Sequence, residues 1–142
     1  MSRDPAKLKV FLLADELALT VYRLTREFPP EERFGLQAQI RRAAVSVPAN
    51  IVEGCARITK RDYVRFLNVA LGSASEARYL LSLARRLGLT ANHAEVIERQ
   101  YRGLMQGLQH LITSLTKRQD PEEGNRTETR PDPESSTVLP EA

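Results

Sequence analysis

The chain is short of several things that would point to a chemistry. It has one cysteine, two histidines and no tryptophan, and only 6% of its residues are aromatic. A lone cysteine excludes an intramolecular disulfide and fits a reducing compartment. Neither His93 nor His110 has an acidic residue three positions before it. The Glu-x-x-His pairs that build carboxylate-bridged metal centres in helical bundles are therefore missing, and no metal is expected. Seven glycines form neither a phosphate-binding loop nor a dinucleotide fingerprint, and no cofactor is expected. The longest apolar run near the N-terminus, Val10 to Ala14, is closed by Asp15 and Glu16. That is too short for a signal-peptide core or a bilayer span, so a soluble cytoplasmic protein is expected. No strand-like alternation occurs anywhere in the chain.

What is present is helix. At 142 residues there is room for one domain with a real core, packed by aliphatic side chains. Val10, Ala14, Leu17, Val21, Leu24 and Phe28 recur in steps of four and three, which predicts a first helix from about Lys7 to Glu27, stopped by Pro29-Pro30. Leu8, Leu12 and Leu19 fall nearly opposite, so this helix has two apolar faces and needs two partners. A second helix is expected to open near Glu31-Glu32, whose charges suit a helix N-terminus. Its inward stripe is Leu36, Ile40, Ala43, Val47 and Gly54; Ala38, Val45, Ala49 and Val52 form a smaller far stripe. Pro48 interrupts one hydrogen bond inside it, at about 3 kcal/mol, and predicts a kink rather than a break. Asn50 is placed to cap backbone groups freed there.

Gly54 to Arg57 reads as a turn with Gly54 as helix terminator. Thr59 and Asp62 have the spacing of a cap and an acidic third position. The third helix then carries Tyr63, Phe66, Leu67, Ala70, Ala74, Ala77, Leu81 and Ala84 on one face and ends at Gly88. With Thr90 as cap, the fourth has the most regular seam: Ile97, Tyr101, Leu104, Leu108, Leu111 and Leu115. Gly103 and Gly107 beside it suggest close backbone contact, since each costs about 1 kcal/mol against alanine. The expected architecture is an all-α, up-and-down four-helix bundle over residues 1–118. Residues 119–142 hold four of the eight prolines and almost nothing to bury, which predicts a disordered acidic tail.

Charge divides along the same line. Residues 1–118 carry 19 Lys and Arg against 11 Asp and Glu, a charge of +8; residues 119–142 carry 2 against 7, or −5. A basic body fits a polyanionic partner, and it equally fits a solvated arginine-rich surface. The candidate nucleic-acid-binding residues are Arg41, Arg42, Arg57, Lys60, Arg61 and Arg65. The last three sit at the start of the third helix, where cations oppose the helix dipole, so something other than helix stability keeps them there. Arg57, Arg61 and Arg65 are spaced to meet successive phosphates, although no aromatic stacking platform accompanies them. No catalytic residue stands out. Cys55 reads as a small buried thiol, and Glu53 and Glu76 read as ion-pair partners for Arg41, Arg42 or Arg78.

The run Arg41-Arg42-Ala43-Ala44-Val45-Ser46-Val47-Pro48-Ala49-Asn50-Ile51-Val52-Glu53-Gly54, followed by Tyr63-x-x-Phe66-Leu67-x-x-Ala70-x-Gly72-Ser73-x-x-Glu76, resembles the four-helix bundle proteins encoded in intervening sequences of bacterial large-subunit ribosomal RNA genes. The resemblance spans roughly residues 8–118. It implies a ring-like homopentamer with no established enzymatic activity. Diversity-generating retroelement accessory proteins are similar to that family, which implies RNA or DNA, and a reverse transcriptase or other nucleic-acid enzyme, as partners. In its light Tyr63, Phe66, Gly72 and Ser73 read as packing residues. Asn50, Glu53 and Glu76 read as a polar network fixing the second helix against its neighbour. Two functions stay open: a non-enzymatic oligomer binding nucleic acid through the basic turn, or a structural adaptor oligomer binding another protein. An enzyme would need a pocket joining Asn50, Glu53 and Glu76.

Overall fold

The computed structural model describes residues 3–91 and 94–117. Four helices account for nearly all of them: α1 (Lys9–Thr25), α2 (Leu36–Cys55), α3 (Lys60–Arg86) and α4 (Ala94–Lys117). Short 3-10 turns at Pro5–Lys7 and Pro30–Glu32 precede α1 and α2. Among the described residues there is no strand. The expected tail and His93 lie outside them.

Cross-helix contacts set the directions. Gly54, late in α2, meets Tyr63 and Phe66, early in α3. Arg85, late in α3, is bonded to Glu98, early in α4. Gly107, in the second half of α4, touches Val10 at the start of α1, and Arg41 reaches back from early α2 to Thr25 at the end of α1. Each helix is thus antiparallel to its neighbours, and α1 closes on α4: an up-and-down bundle. The predicted stripes form its core. Ala14, Leu17, Val21, Ile40, Val47, Ile51, Leu67, Leu81, Tyr101, Leu104 and Leu108 are all essentially sealed from solvent. On α3 the inward positions Ala70, Ala74, Ala77 and Ala84 are fully buried, and their small size lets neighbouring helices lie close. The second stripes take no part in the core: Leu12, Leu19, Val45 and Val52 are exposed, whereas Leu8 packs against it.

Local chemistry explains most boundaries and corrects several. α2 opens at Leu36, not at Glu31-Glu32. The proline-led turn and Gly35 delay it, and the Glu32 carboxylate instead accepts the Leu36 amide from outside the helix, 3.1 Å away. α2 runs unbroken through Pro48 to Cys55. Gly54 does not terminate it. A Cβ there would lie 2.9 Å from Phe66 Cβ and 3.3 Å from the Tyr63 ring, so this glycine exists for the close approach of α3. Thr59 caps α3 as expected, accepting the Asp62 amide at 3.1 Å. At the other end Gly88 takes φ of 75°. Its amide bonds Arg85 O and the Leu89 amide bonds Ala84 O, a Schellman closure that needs a left-handed residue. Thr90 is not seen to cap α4: its hydroxyl is buried and unpartnered among the described residues. Gly107 does meet a neighbour, Val10 Cγ1 at 3.0 Å, but nothing lies within 4 Å of a Cβ at Gly103.

Candidate nucleic-acid interface

The five arginines and one lysine singled out by sequence do not share one surface. Arg41 and Arg42 lie in the first turns of α2, while Arg57, Lys60, Arg61 and Arg65 follow its end. From Arg42 to the end of α2 at Cys55 the helix rises about 20 Å, and Arg57 lies just beyond. The bundle therefore presents two basic regions, one at each end of α2.

At the α2–α3 turn the arginines are placed by aromatic rings. Arg57 and Arg65 both approach Phe66, with guanidinium carbons 5.5 and 4.7 Å from its centroid. Arg3 lies over Tyr63 at 4.2 Å and donates to the Arg57 carbonyl at 2.9 Å. Arg57 Nε also donates to the Glu53 carbonyl, closing the end of α2. Guanidinium groups on ring faces are attracted by the ring quadrupole, worth about 0.5–1 kcal/mol at exposed sites. Phe66 and Tyr63, read from sequence as packing residues, thus position the charge as well. Lys60, Arg61 and Arg65 are exposed. Among the described residues the carboxylate paired with an arginine here is Asp62, 3.8 Å from Arg65, with both side chains about half or more exposed; such a pair is weak.

Beneath this surface Cys55 and Tyr63 are buried together. Burial pushes the Cys55 thiol up, and a hydrogen bond with Tyr63 offsets part of that. The Tyr63 phenol is pushed up to about 12, chiefly by burial. A thiol held protonated and 6% exposed suits a packing role, as the sequence suggested.

The opposite end is built differently. Thr25 is fully buried at the end of α1. Its hydroxyl donates to the Val21 carbonyl at 2.8 Å and accepts Arg41 Nε at 2.8 Å. Arg41 Nη2 donates to the Tyr22 carbonyl at 3.3 Å, and the guanidinium stacks 4.5 Å from the Tyr22 ring. Arg41 is therefore a fastener between α1 and α2. Around it an open groove of about 690 Å³ is lined by Tyr22, Arg26, Arg33, Phe34, Arg41 and Arg42, over Phe28 and Pro30. Sequence reasoning missed Tyr22, Arg26, Arg33 and Phe34. The available signal was Arg33-Phe34-Gly35, an aromatic residue outside every apolar stripe and beside a glycine.

The expected network of Asn50, Glu53 and Glu76 is not what joins α2 to α3. Asn50 Nδ2 donates to the Ser46 carbonyl at 2.7 Å and to Ser46 Oγ at 2.9 Å, and Ser46 Oγ lies 2.8 Å from Ser73 Oγ. The acceptor is the Ser46 carbonyl, one turn before Asn50, and not the Ala44 carbonyl that Pro48 leaves without its amide. Glu53 and Glu76 are exposed and join neither this chain of bonds nor an ion pair among the described residues. Two of the ion pairs among the described residues bind α3 to α4: Arg85 grips Glu98 at 2.7 Å and lies 3.6 Å from Glu95. Among the described residues no group of His, Cys, Asp and Glu can hold a metal ion, and His110 is exposed. No described helix is long and apolar enough to cross a membrane.

The model of the 23S rRNA-intervening sequence proteins matches residues 6–113. Among solved structures the chain is similar to a protein of unknown function from the S23 ribosomal protein family of Bacteroides thetaiotaomicron. The two share 28% identity over 73% of this chain and 95% of that one, with a TM-score of 0.67. Among proteins of curated function, none matches.

Proposed function

The chain belongs to the 23S rRNA-intervening sequence protein family, and we propose that it is a non-enzymatic, homo-oligomeric bundle that binds RNA or DNA through the α2–α3 turn. One observation carries the reading. Arg57 and Arg65 share the Phe66 ring, Arg61 stands one turn before Arg65 on α3, and the Asp62 carboxylate pairs with Arg65 only loosely, at 3.8 Å. Arg61 and Arg65 are about 6 Å apart along the α3 axis, so they can meet neighbouring phosphates of one strand. Contacts of this kind position a nucleic acid without reading its sequence.

The test is the salt dependence of binding to a labelled RNA. Each phosphate contact contributes about −0.7 to the slope of log K against log salt for a single strand. Replacing Arg57, Lys60, Arg61 and Arg65 by alanine should therefore weaken binding and flatten the slope by about 3. Unchanged affinity in that variant overturns the reading.

A second reading keeps the oligomer and exchanges the partner. Leu12 and Leu19 on α1 and Val45 and Val52 on α2 are spaced by seven and are 42 to 54% exposed. Such stripes suit contact with other copies or with another protein, including a nucleic-acid enzyme. Light scattering coupled to size exclusion separates the cases. A ring of five copies gives a mass five times 16.0 kDa; a strictly monomeric protein removes the oligomer from both readings. Capture of one stoichiometric protein partner, insensitive to nuclease, favours the adaptor.

A further inference from the structure

We infer that the groove between the end of α1 and the start of α2 is a second nucleic-acid site, built for an unpaired strand, with Phe34 as a base-stacking platform and Arg26, Arg33 and Arg42 as phosphate contacts. It shares its partner class with the reading above but rests on different residues at the other end of α2.

Four features carry it. Phe34 is 88% exposed, on the loop just before α2. A phenyl ring left in water gains nothing from folding and keeps a face free for a ligand. Arg33 lies 5.4 Å from that ring, and Tyr22, 42% exposed, carries the Arg41 guanidinium on its face. Ring and guanidinium planes side by side are what unstacked bases use, because every base has a π-face. None of Arg26, Arg33, Arg41 and Arg42 is in an ion pair among the described residues. The adjacent Glu32 carboxylate is engaged by the Leu36 amide. The groove also has the volume for a nucleotide, about 690 Å³. Arg41, fixed through Thr25 and the Tyr22 carbonyl, keeps three of its five N–H groups for an incoming phosphate. A duplex hides its base faces in its own stack, so the site selects unpaired segments.

The chain has no tryptophan, which makes Phe34→Trp a built-in reporter at an exposed position. The full-length variant is titrated with a short single-stranded RNA, the DNA of the same sequence, the matching duplex, and inorganic polyphosphate. Stacking predicts quenching by one or both single strands and none by polyphosphate; the RNA and DNA arms say which strand is preferred. In the Arg57→Ala, Arg61→Ala, Arg65→Ala background the quenching persists, and its persistence separates this site from the turn. Phe34→Ala should lower single-strand affinity about tenfold, one base stack, and leave duplex affinity within twofold. Quenching by polyphosphate alone, or wild-type single-strand affinity in Phe34→Ala, overturns the inference. A change in the size of the protein in solution with Phe34→Ala, at unchanged oligonucleotide affinity, also overturns it and makes the groove a contact between copies.

Discussion

Gly54 and Gly103 are both glycines inside helices, yet alanine should have opposite effects at the two. Removing a helix-interior glycine is worth about 1 kcal/mol in favour of the folded state. At Gly103 nothing lies within 4 Å of the added methyl, so Gly103→Ala keeps that gain. At Gly54 the methyl would sit 2.9 Å from Phe66 Cβ, 3.3 Å from Tyr63 Cδ2 and 3.4 Å from the Tyr63 carbonyl. A Cβ and a carbonyl oxygen are tied to the α3 backbone and cannot swing aside, so α2 and α3 must part. Overpacking of this kind costs about 1–3 kcal/mol, and with three contacts the upper half of that range applies. The net for Gly54→Ala is a loss of about 1–2 kcal/mol, a fall in Tm of roughly 4–8 °C. Melts followed by circular dichroism, with urea titrations alongside, measure both variants against the parent. Gly54→Ala melting at or above the parent would refute the argument that this glycine serves close packing. Because Phe66 positions Arg57 and Arg65, the same variant should also weaken RNA binding, and Gly103→Ala should not.

Two further outcomes follow from burial and pairing. Tyr63 and Cys55 both hold their protons more tightly when folded, so the unfolded chain ionises first as pH rises. Their stabilisation is complete below the ordinary values of 9.0 for the thiol and 10.0 for the phenol and is lost as pH climbs through the folded values. The Tm should be insensitive to these groups between pH 6 and 8 by this reasoning, fall between pH 9 and about 12, and fall less in Tyr63→Phe; an equal alkaline loss in that variant contradicts it. At the α3–α4 end, Glu98 is 13% exposed and held at 2.7 and 3.3 Å by Arg85, whereas Glu95 is 64% exposed at 3.6 Å. Arg85→Ala should lower the Tm by several degrees because it strands the Glu98 carboxylate, and Glu95→Ala should leave it nearly unchanged.

Periodicity carried most of the fold. The stripes of α1, α3 and α4 were legible because core positions in a long helix repeat every three and four residues, and Thr59-x-x-Asp62 and Gly88 are short-range signals with short-range causes. Errors arose where the cause was tertiary. Glu31-Glu32 look like a first helical turn, but Pro30 and Gly35 postpone the helix and turn Glu32 into its cap. Gly54 looks like a terminator because glycine often is one; what decides its role is Phe66, twelve residues away in sequence. The candidate site divided the same way. The charge around Arg57 and Arg65 is local in sequence and was visible. The groove was not, since Tyr22 and Phe34 come together with Arg41 and Arg42 only after α1 folds back on α2. Ser46 and Ser73 escaped for the same reason: two hydroxyls twenty-seven residues apart announce nothing until the helices cross.

Phe66 has a consequence for how the basic turn behaves in solution. Arginines are ordinarily steadied by carboxylates, which fix the side chain and cancel its field in the same act. A benzene ring carries no net charge, so it can steady Arg57 and Arg65 without cancelling their positive potential, which only the loose Asp62 contact at Arg65 offsets. Added salt weakens a carboxylate clamp but has little hold on a quadrupole at contact distance. The geometry of this surface should therefore stay constant across ionic strengths that weaken the binding of any polyanion. Lysine at either position would keep the charge and lose the planar fit to the ring.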